Sequence, residues 1–520
     1  MADKGCWAEF QDLMGLQRRH ESAALWTIYT PIDSYSCTPE QAYAATKWVD
    51  NHTPHIPIRI AGEKPQYYTL STTNWMPYDW SINNVAPAEE MHTALTFFHA
   101  GRTNEAFRLM KGVLLDEMYL GASPGNMGQV SYYDAARGET YRDFADNIGV
   151  TAKAVIQGLY GISPQALDGK LIIRPGFPSE WDSASVHTSY IDFCFRRENG
   201  KEIYDITQRF ARPLQLVIRQ NTGYGQYKET VFNSDLTQHI ELAAVSNPQE
   251  PEVDPYAWTR SENAGKDMGN EFDDINEKAL AMVNIDRHLN ANVTDIFQNE
   301  YVSPASPYTT LRIPKNGFGE WCHPTISAST NDSVFRTLVR RGVYTAQLKD
   351  IGKQIPFRSK AVGRNIVYTS LWDNYPDSVT IPLKGKASHA YLLMAGTTNH
   401  MQSRIENGRI TITYTDGTQQ VLNLVNPYNW CPIEQDYYYD RYAFRVQGKH
   451  PYRFHFMSDI VSRNLGEELK LEGVYGRQVD GGAGQLIDLR LNPQKQLKNL
   501  TLTTLSNDVV IGIMGSTLQK

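Results

Sequence analysis

At 520 residues the chain exceeds one ordinary domain of ~100–200 residues, so about three units are expected and core size is not limiting. A formal net charge of −7 and a pI near 6.0, without a Lys/Arg cluster, leave no basic stripe for a nucleic-acid backbone. There is no apolar run of ~18 residues to span a bilayer, and five scattered cysteines (Cys6, Cys37, Cys194, Cys322 and Cys431) fit neither a zinc site nor a disulfide framework.

Helical periodicity is concentrated at the start. A short helix is expected around Ala23 to Tyr29. Thr38-Pro39-Glu40-Gln41 is a capping box with proline at the first helical position, which predicts a helix from there to about Asn51. Another begins near Pro87, where Met91, Ala94, Leu95 and Phe98 share one face, and it ends at Gly101. A third runs from Asn104 to about Tyr119 on a stripe of Phe107, Met110, Leu114 and Met118. A fourth carries Ile148, Ala152, Val155, Ile156 and Leu159. The links Asn51 to Ala86 and Leu120 to Arg142 are long, whereas the turn at Gly101 is minimal. In an antiparallel array this alternation gathers the long loops at one end, together with Gly5 to Glu21. Loops on a rigid scaffold commonly carry binding and chemistry.

After Ile162 the pattern turns to β. Leu171 to Pro175, Val186 to Arg196, Ile203 to Gln208 and Leu214 to Arg219 read as strands. Residues 244–275 are rich in Pro, Asn, Glu and Asp. Beyond about 280, Ala390 to Met394, Arg409 to Tyr414 and Val421 to Leu424 are the clearest strands, with Asp416-Gly417 as a hairpin turn.

Two stretches resemble bacterial six-hairpin glycosidases. Asp146-Asn147-Ile148-Gly149 through Gly158-Leu159-Tyr160-Gly161-Ile162, followed by Leu167-Asp168-Gly169-Lys170-Leu171 and Pro175-Gly176-Phe177-Pro178-Ser179-Glu180-Trp181, looks like the end of such a barrel. Thr73-Asn74-Trp75-Met76-Pro77-Tyr78-Asp79-Trp80-Ser81-Ile82-Asn83-Asn84 is similar to the aromatic loops that line these active sites. Tyr391 to Asn399 and Trp430 to Tyr437 resemble the C-terminal part of an uncharacterised family of secreted bacterial glycosidase-like proteins carrying a domain of unknown function. The resemblance implies an α-then-β multidomain fold, with a partial (α/α)6 toroid of about five helices followed by β-sandwich domains. Residues 1–162 are expected to form the C-terminal half of the barrel, 163–243 a small β-sandwich, 244–279 a linker and 280–520 a β-rich, sandwich-like domain. The superfamily barrel has twelve helices, so the missing half is expected upstream of Met1. The start Met1-Ala2-Asp3-Lys4-Gly5 has no signal-peptide features, and the family implies a periplasmic or secreted protein.

The implied activity is glycoside hydrolysis of a polysaccharide or oligosaccharide. It takes two carboxyl groups, and the inverting outcome common in the superfamily separates them by ~6.5–9.5 Å. Candidates come from the long-loop end: Glu9 with Asp12, Glu21, Asp79, and Glu139 with Asp143 and Asp146. Glu139, in a Gly-containing loop ahead of the last inner helix, is the expected base, though a loop or cap carboxylate reads the same way. Asp143 and Asp146 either act or stabilise a helix N-terminus. Glu9, flanked by aromatics in Cys6-Trp7-Ala8-Glu9-Phe10, is the candidate acid, with desolvation expected to raise its pKa. Asp79, Asn84, Trp75, Trp80, Tyr132 and Tyr133 are the candidate substrate contacts. His20, His92 and His99 lack metal-ligand spacing, and no nucleotide or dinucleotide motif is present, so neither metal nor cofactor is expected. Two alternatives remain: a carbohydrate-binding protein using Trp321, Trp430 and Tyr437 to Tyr439, or a uronate lyase using Tyr132 or His92 as base.

Overall fold

The computed structural model describes residues 1–520 other than 13–15, 59–61, 63–65, 76–82, 121–145, 249, 256–267, 299–329, 372–374, 399–401, 437–445, 447 and 472–477. The chain forms two compact units that interleave in sequence. The first comprises Met1–Trp7, Ala23–Thr73 and Asn84–Ser261; the second comprises Ala8–Ser22, Asn74–Asn83 and Glu262–Lys520.

The first unit holds five helices among the described residues: α1 (Leu25–Asp33), α2 (Pro39–His52), α3 (Pro87–His99), α4 (Thr103–Leu114) and α5 (Asp146–Lys153). Helix α2 starts as its capping box dictates. Thr38 Oγ1 accepts from the Gln41 N–H at 3.3 Å, and Gln41 Oε1 accepts from the Thr38 N–H at 2.9 Å. The link from α2 to α3, a long loop by sequence, contains a strand pair, His55–Pro57 with Tyr68–Leu70. Helices α4 and α5 both run on into π-helical turns, Leu115–Leu120 and Ala154–Leu159. Such turns recur at functional sites.

Polar ties fasten the helices. Buried Arg102, just before α4, donates to Asp50 Oδ2 at 2.6 Å and to the Thr46 carbonyl at 2.8 Å, both on α2. At the C-terminus of α1, Asp33 accepts from Lys153 of α5 at 2.6 Å and lies 2.9 Å from His92 Nε2 of α3. Those partners, His92 first, hold the Asp33 carboxyl well below the usual carboxylate range although burial opposes them.

Two four-stranded sheets complete the unit. One orders Gln226–Val231, Gln215–Gly223, Lys170–Ile173 and Ile162–Gln165; the other orders Thr237–Ala243, Lys201–Gln208, Ile191–Glu198 and Ser183–His187. The stretch Val186 to Arg196 is therefore a hairpin turning at Thr188–Tyr190 rather than one strand. Ile191, Phe193 and Phe195 alternate inward and share one core with Phe97, Phe98 and Leu159.

The second unit is built on a seven-stranded sheet. Its path orders Leu280–Met282, Val509–Gln519, His389–Thr398, Ala483–Arg490, Arg453–His455 and Val461–Ser462, and Val367–Ser370 also pairs with Val509–Gln519. His389–Thr398 and Val509–Gln519 are buried at every position. The reason is that both faces are covered. Tyr391, Leu393 and Ala395 pack with Phe335, Tyr344 and Phe357 on one side. Ala390, Leu392 and Met394 pack on the other with Ile410, Ile412, Leu500 and Leu502, inner residues of a second sheet. That sheet orders Ser378–Pro382, Leu497–Thr504, Glu406–Tyr414 and Gln419–Val425, and Asp416-Gly417 makes the predicted turn. Phe272 and Ile275, from the stretch read as linker, belong to the first of these two cores.

Among the described residues no helix is long and apolar enough to cross a membrane. Cys6 and Cys431 are buried free thiols, and Cys37 and Cys194 are half-buried free thiols.

Gly112 of α4 tests the packing of the first unit. A Cβ there would lie 2.2 Å from the Tyr68 carbonyl oxygen, on the strand beneath. Alanine normally gains about 1 kcal/mol over glycine in a helix. Gly112→Ala is expected instead to lose about 1–3 kcal/mol, read by chemical denaturation, because the backbone contact must be forced apart.

Candidate active site

The helices of the first unit bring one end of the bundle together from three directions. Helix α3 starts there, α5 starts there, and α4 returns to it through the Leu115–Leu120 turn, which leads into the long connection to α5. Five polar residues at this end are enclosed: Glu90 is 0% exposed, Asn147 1%, Glu117 3%, Asn84 6% and Asp116 9%.

Each is held by a specific local cause. Asn84, the last residue but two before α3, pairs its backbone with Thr72, donating to Thr72 Oγ1 at 2.9 Å and accepting from the Thr72 N–H at 2.8 Å. Glu90 lies in the first turn of α3, and its Oε2 accepts the Leu70 N–H at 3.1 Å. Asn84 Oδ1, Glu90 Oε1 and Glu117 Oε2 have no hydrogen-bond partner among the described residues.

Burial dominates the electrostatics. It pushes the Asp116 carboxyl from 3.8 up to about 6. Burial, reinforced by the Asp116 charge, pushes Glu117 from 4.5 up to about 9. Glu90 is raised well above the carboxylate range, by burial first and then by the Asp116 and Glu117 charges, against the opposing hydrogen bond from Leu70. Glu117 thus keeps its proton at neutral pH, beside Asp116, which is raised less, and Glu90, which is raised in the same direction. Two carboxyl groups whose environments separate their pKa values can divide acid and base roles.

The residues expected from sequence fall in several places. Glu139, Asp143, Asp79, Trp80, Tyr132 and Tyr133 lie outside the described residues, as do Trp321 and Tyr437 to Tyr439. Asp146 begins α5. Asn84 belongs to the first unit, whereas Glu9, Asp12, Glu21 and Trp75 belong to the second. Glu9 is half-buried and sits beside a strand pair, Phe10–Gln11 with Arg19–His20, where its N–H donates to the His20 carbonyl at 2.9 Å. Trp75 is 0% exposed. Its indole N–H donates to the Ser22 carbonyl at 2.8 Å and its ring meets His20 edge-on, so no ring face is open. Trp430 is likewise fully enclosed, with Gly396 leaving room for its ring, which removes it as a surface platform. His92 is committed to Asp33 and stacks on Tyr29, with centroids 4.0 Å apart. Among the described residues no group of three or more His, Cys, Asp or Glu is arranged to hold a metal.

Glu90, Asp116 and Glu117 were not singled out by sequence. A signal was available for two of them: Asp116 and Glu117 place negative charge at the C-terminal end of a helix, where the backbone dipole disfavours it. Glu90 carries no such mark, since acids in a first helical turn are ordinary.

No protein-family model matches the chain, and no curated protein sequence matches it. Among solved structures, a candidate kojibiose phosphorylase from the human microbiome is 12% identical, with a TM-score of 0.24, over 43% of this chain and 24% of its own. The likeness spans about a quarter of that protein and is too low to argue from.

The acid trio makes stability depend on pH. The folded chain holds these protons more tightly than the unfolded chain, so stability falls as pH rises above the ordinary carboxylate range, and the fall runs on to about pH 9 with Glu117. The shift at Asp116 alone corresponds to about 3 kcal/mol lost between pH 4 and neutrality. In thermal melts across pH 4–9 (about the range of these shifts), Glu117→Gln is expected to flatten the upper part of the slope and to melt higher than the parent at the alkaline end.

Proposed function

We propose that the protein is a carbohydrate-active enzyme, a glycoside hydrolase, with its chemistry at the long-connection end of the helical unit and the five helices forming part of an (α/α)6 barrel. The observation that carries this reading is Glu117, a carboxyl enclosed beside Asp116 and pushed up to about 9, at the mouth of the connection that bears Glu139. The sequence resemblance to six-hairpin glycosidases supports it independently.

In this proposal protonated Glu117 donates to the glycosidic oxygen as the C1–O bond breaks. Glu139, ionised, takes a proton from the water that attacks C1 from the opposite face. The leaving sugar departs with the proton of Glu117, and the new hemiacetal carries the hydroxyl of water with inverted configuration. Burial, and then the Asp116 charge, keep the Glu117 proton in place. Asn84, with an unpaired amide oxygen, accepts from a sugar hydroxyl. Asp143, Asp146, Asp79, Trp80, Tyr132 and Tyr133 complete the binding and catalytic set.

The test is turnover on a panel of polysaccharides, followed as reducing ends and as ultraviolet absorbance of unsaturated products. Reducing ends without that absorbance are expected; the absorbance would instead identify a lyase. Glu139→Gln and Glu117→Gln are each expected to lower kcat by about 10²–10⁴ while leaving substrate binding near normal. The parent rate should fall as pH approaches about 9, where Glu117 loses its proton. Near-normal turnover in both variants sinks the proposal.

A further inference from the structure

The second unit gathers buried oxygen atoms at one end of its sheets, away from any role in the proposed hydrolysis. The turn between Leu497–Thr504 and Val509–Gln519 carries Asn507 and Asp508. Gln402 lies just past the end of His389–Thr398, and Asp12 follows the short strand Phe10–Gln11. Gln402 Nε2 donates to Asp12 Oδ1 at 3.0 Å, and the Asn507 N–H donates to Asp12 Oδ2 at 3.0 Å. All four residues are enclosed: Gln402 is 1% exposed, Asp508 2%, Asp12 3% and Asn507 3%.

Asp508 Oδ1, Asn507 Oδ1 and Gln402 Oε1 are buried with no hydrogen-bond partner among the described residues. Gln402 Oε1 shares its amide carbon with the nitrogen that touches Asp12. Asn507 is anchored to Asp12 through its own backbone, and Asp508 follows it directly. Each Asp12 oxygen retains a second lone pair. The nearby guanidinium, Arg18, is paired with Glu406. Asp12 and Asp508 are both enclosed carboxylates whose charges repel, and the orphaned acceptors each cost free energy. One species removes all of these penalties: a hard cation that takes carboxylate and amide oxygens together.

We propose that Asp12, Gln402, Asn507 and Asp508 bind a calcium ion. Calcium accepts six to eight oxygen ligands at ~2.3–2.6 Å in loose geometry, and mixed carboxylate and amide oxygens suit it. Two carboxylates balance its charge. The absence of a third acidic ligand is met by the two amide oxygens, and waters fill the remaining positions. The ion ties the N-terminal strand pair to the end of the sheets through residues 495 positions apart in sequence.

The rival explanation is a carboxyl–carboxylate pair sharing one proton, since burial and the Asp12 charge both raise Asp508. The full chain, dialysed against EDTA at pH 7.5, is titrated with CaCl2 by calorimetry and by thermal melting; one ion per chain and a melting point several degrees higher with CaCl2 are expected. Asp508→Asn should weaken calcium binding by about two orders of magnitude. In EDTA it should melt above the parent, because a buried charge is gone. Asn507→Ala, which spares the backbone contact to Asp12, should weaken binding by about tenfold and serves if Asp508→Asn does not fold. No calcium binding, or binding undiminished in the variants that fold, overturns the proposal. A melting point that rises on acidification with no response to CaCl2 does the same and assigns the shared proton.

Discussion

A carboxylate removed from water has to be neutralised by a proton, matched by a fixed cation, or ligated, because solvation in a protein interior does not replace what water supplied. This constraint sorts the buried acids of both units. Asp33 and Asp50 meet Lys153 and Arg102 as structural ties. Asp488 is held by His389 at 2.6 Å and by the Phe272 N–H at 2.9 Å. Among the described residues burial rather than a cation governs Glu90 and Glu117, and Asp116 is shifted by burial alone, so these acids hold their protons more tightly. The contrast separates acids matched by a cation from acids that keep a proton.

Buried cations follow the same logic in reverse. Arg453 is fully enclosed in the second unit, and its guanidinium donates to the carbonyls of Pro432, Gln435, Ala483 and Gly484. Glu434 nearby, held by the Thr397 hydroxyl, is pushed up to about 7 by burial, and Arg453 offsets this only weakly. The strand ends therefore carry polar groups at high density, while the strand middles, sealed on both faces, carry almost none.

Local rules proved legible in the sequence, and tertiary ones did not. The capping box at Thr38, the stripe of α3 and the Asp416-Gly417 turn are each decided within four or five residues, and each lies where the sequence puts it. The strand Ala390 to Met394 was readable as an apolar run because both its faces are buried. By contrast, nothing local announces that Ala8–Ser22 and Asn74–Asn83 group with residues beyond Glu262, since that assignment rests on contacts hundreds of positions away. The same holds for the site. Aromatic company made Glu9 and Trp75 attractive, yet Trp75 is a core residue whose neighbours are Ser22 and His20. Glu90 was hidden because an acid in a first helical turn looks ordinary until its burial is known.

The interleaving of the two units sets a clock on folding. Asp12 meets Asn507 only after 495 further residues have been made, which at ~5–20 residues per second is on the order of a minute of synthesis. During that interval the segment holding Phe10–Gln11 and Arg19–His20 lacks the sheet end that Asp12 later meets. A polypeptide begun at Glu262 has the opposite defect, since it carries Gln402, Asn507 and Asp508 but never receives Asp12. The second unit is in this sense a product of the whole chain.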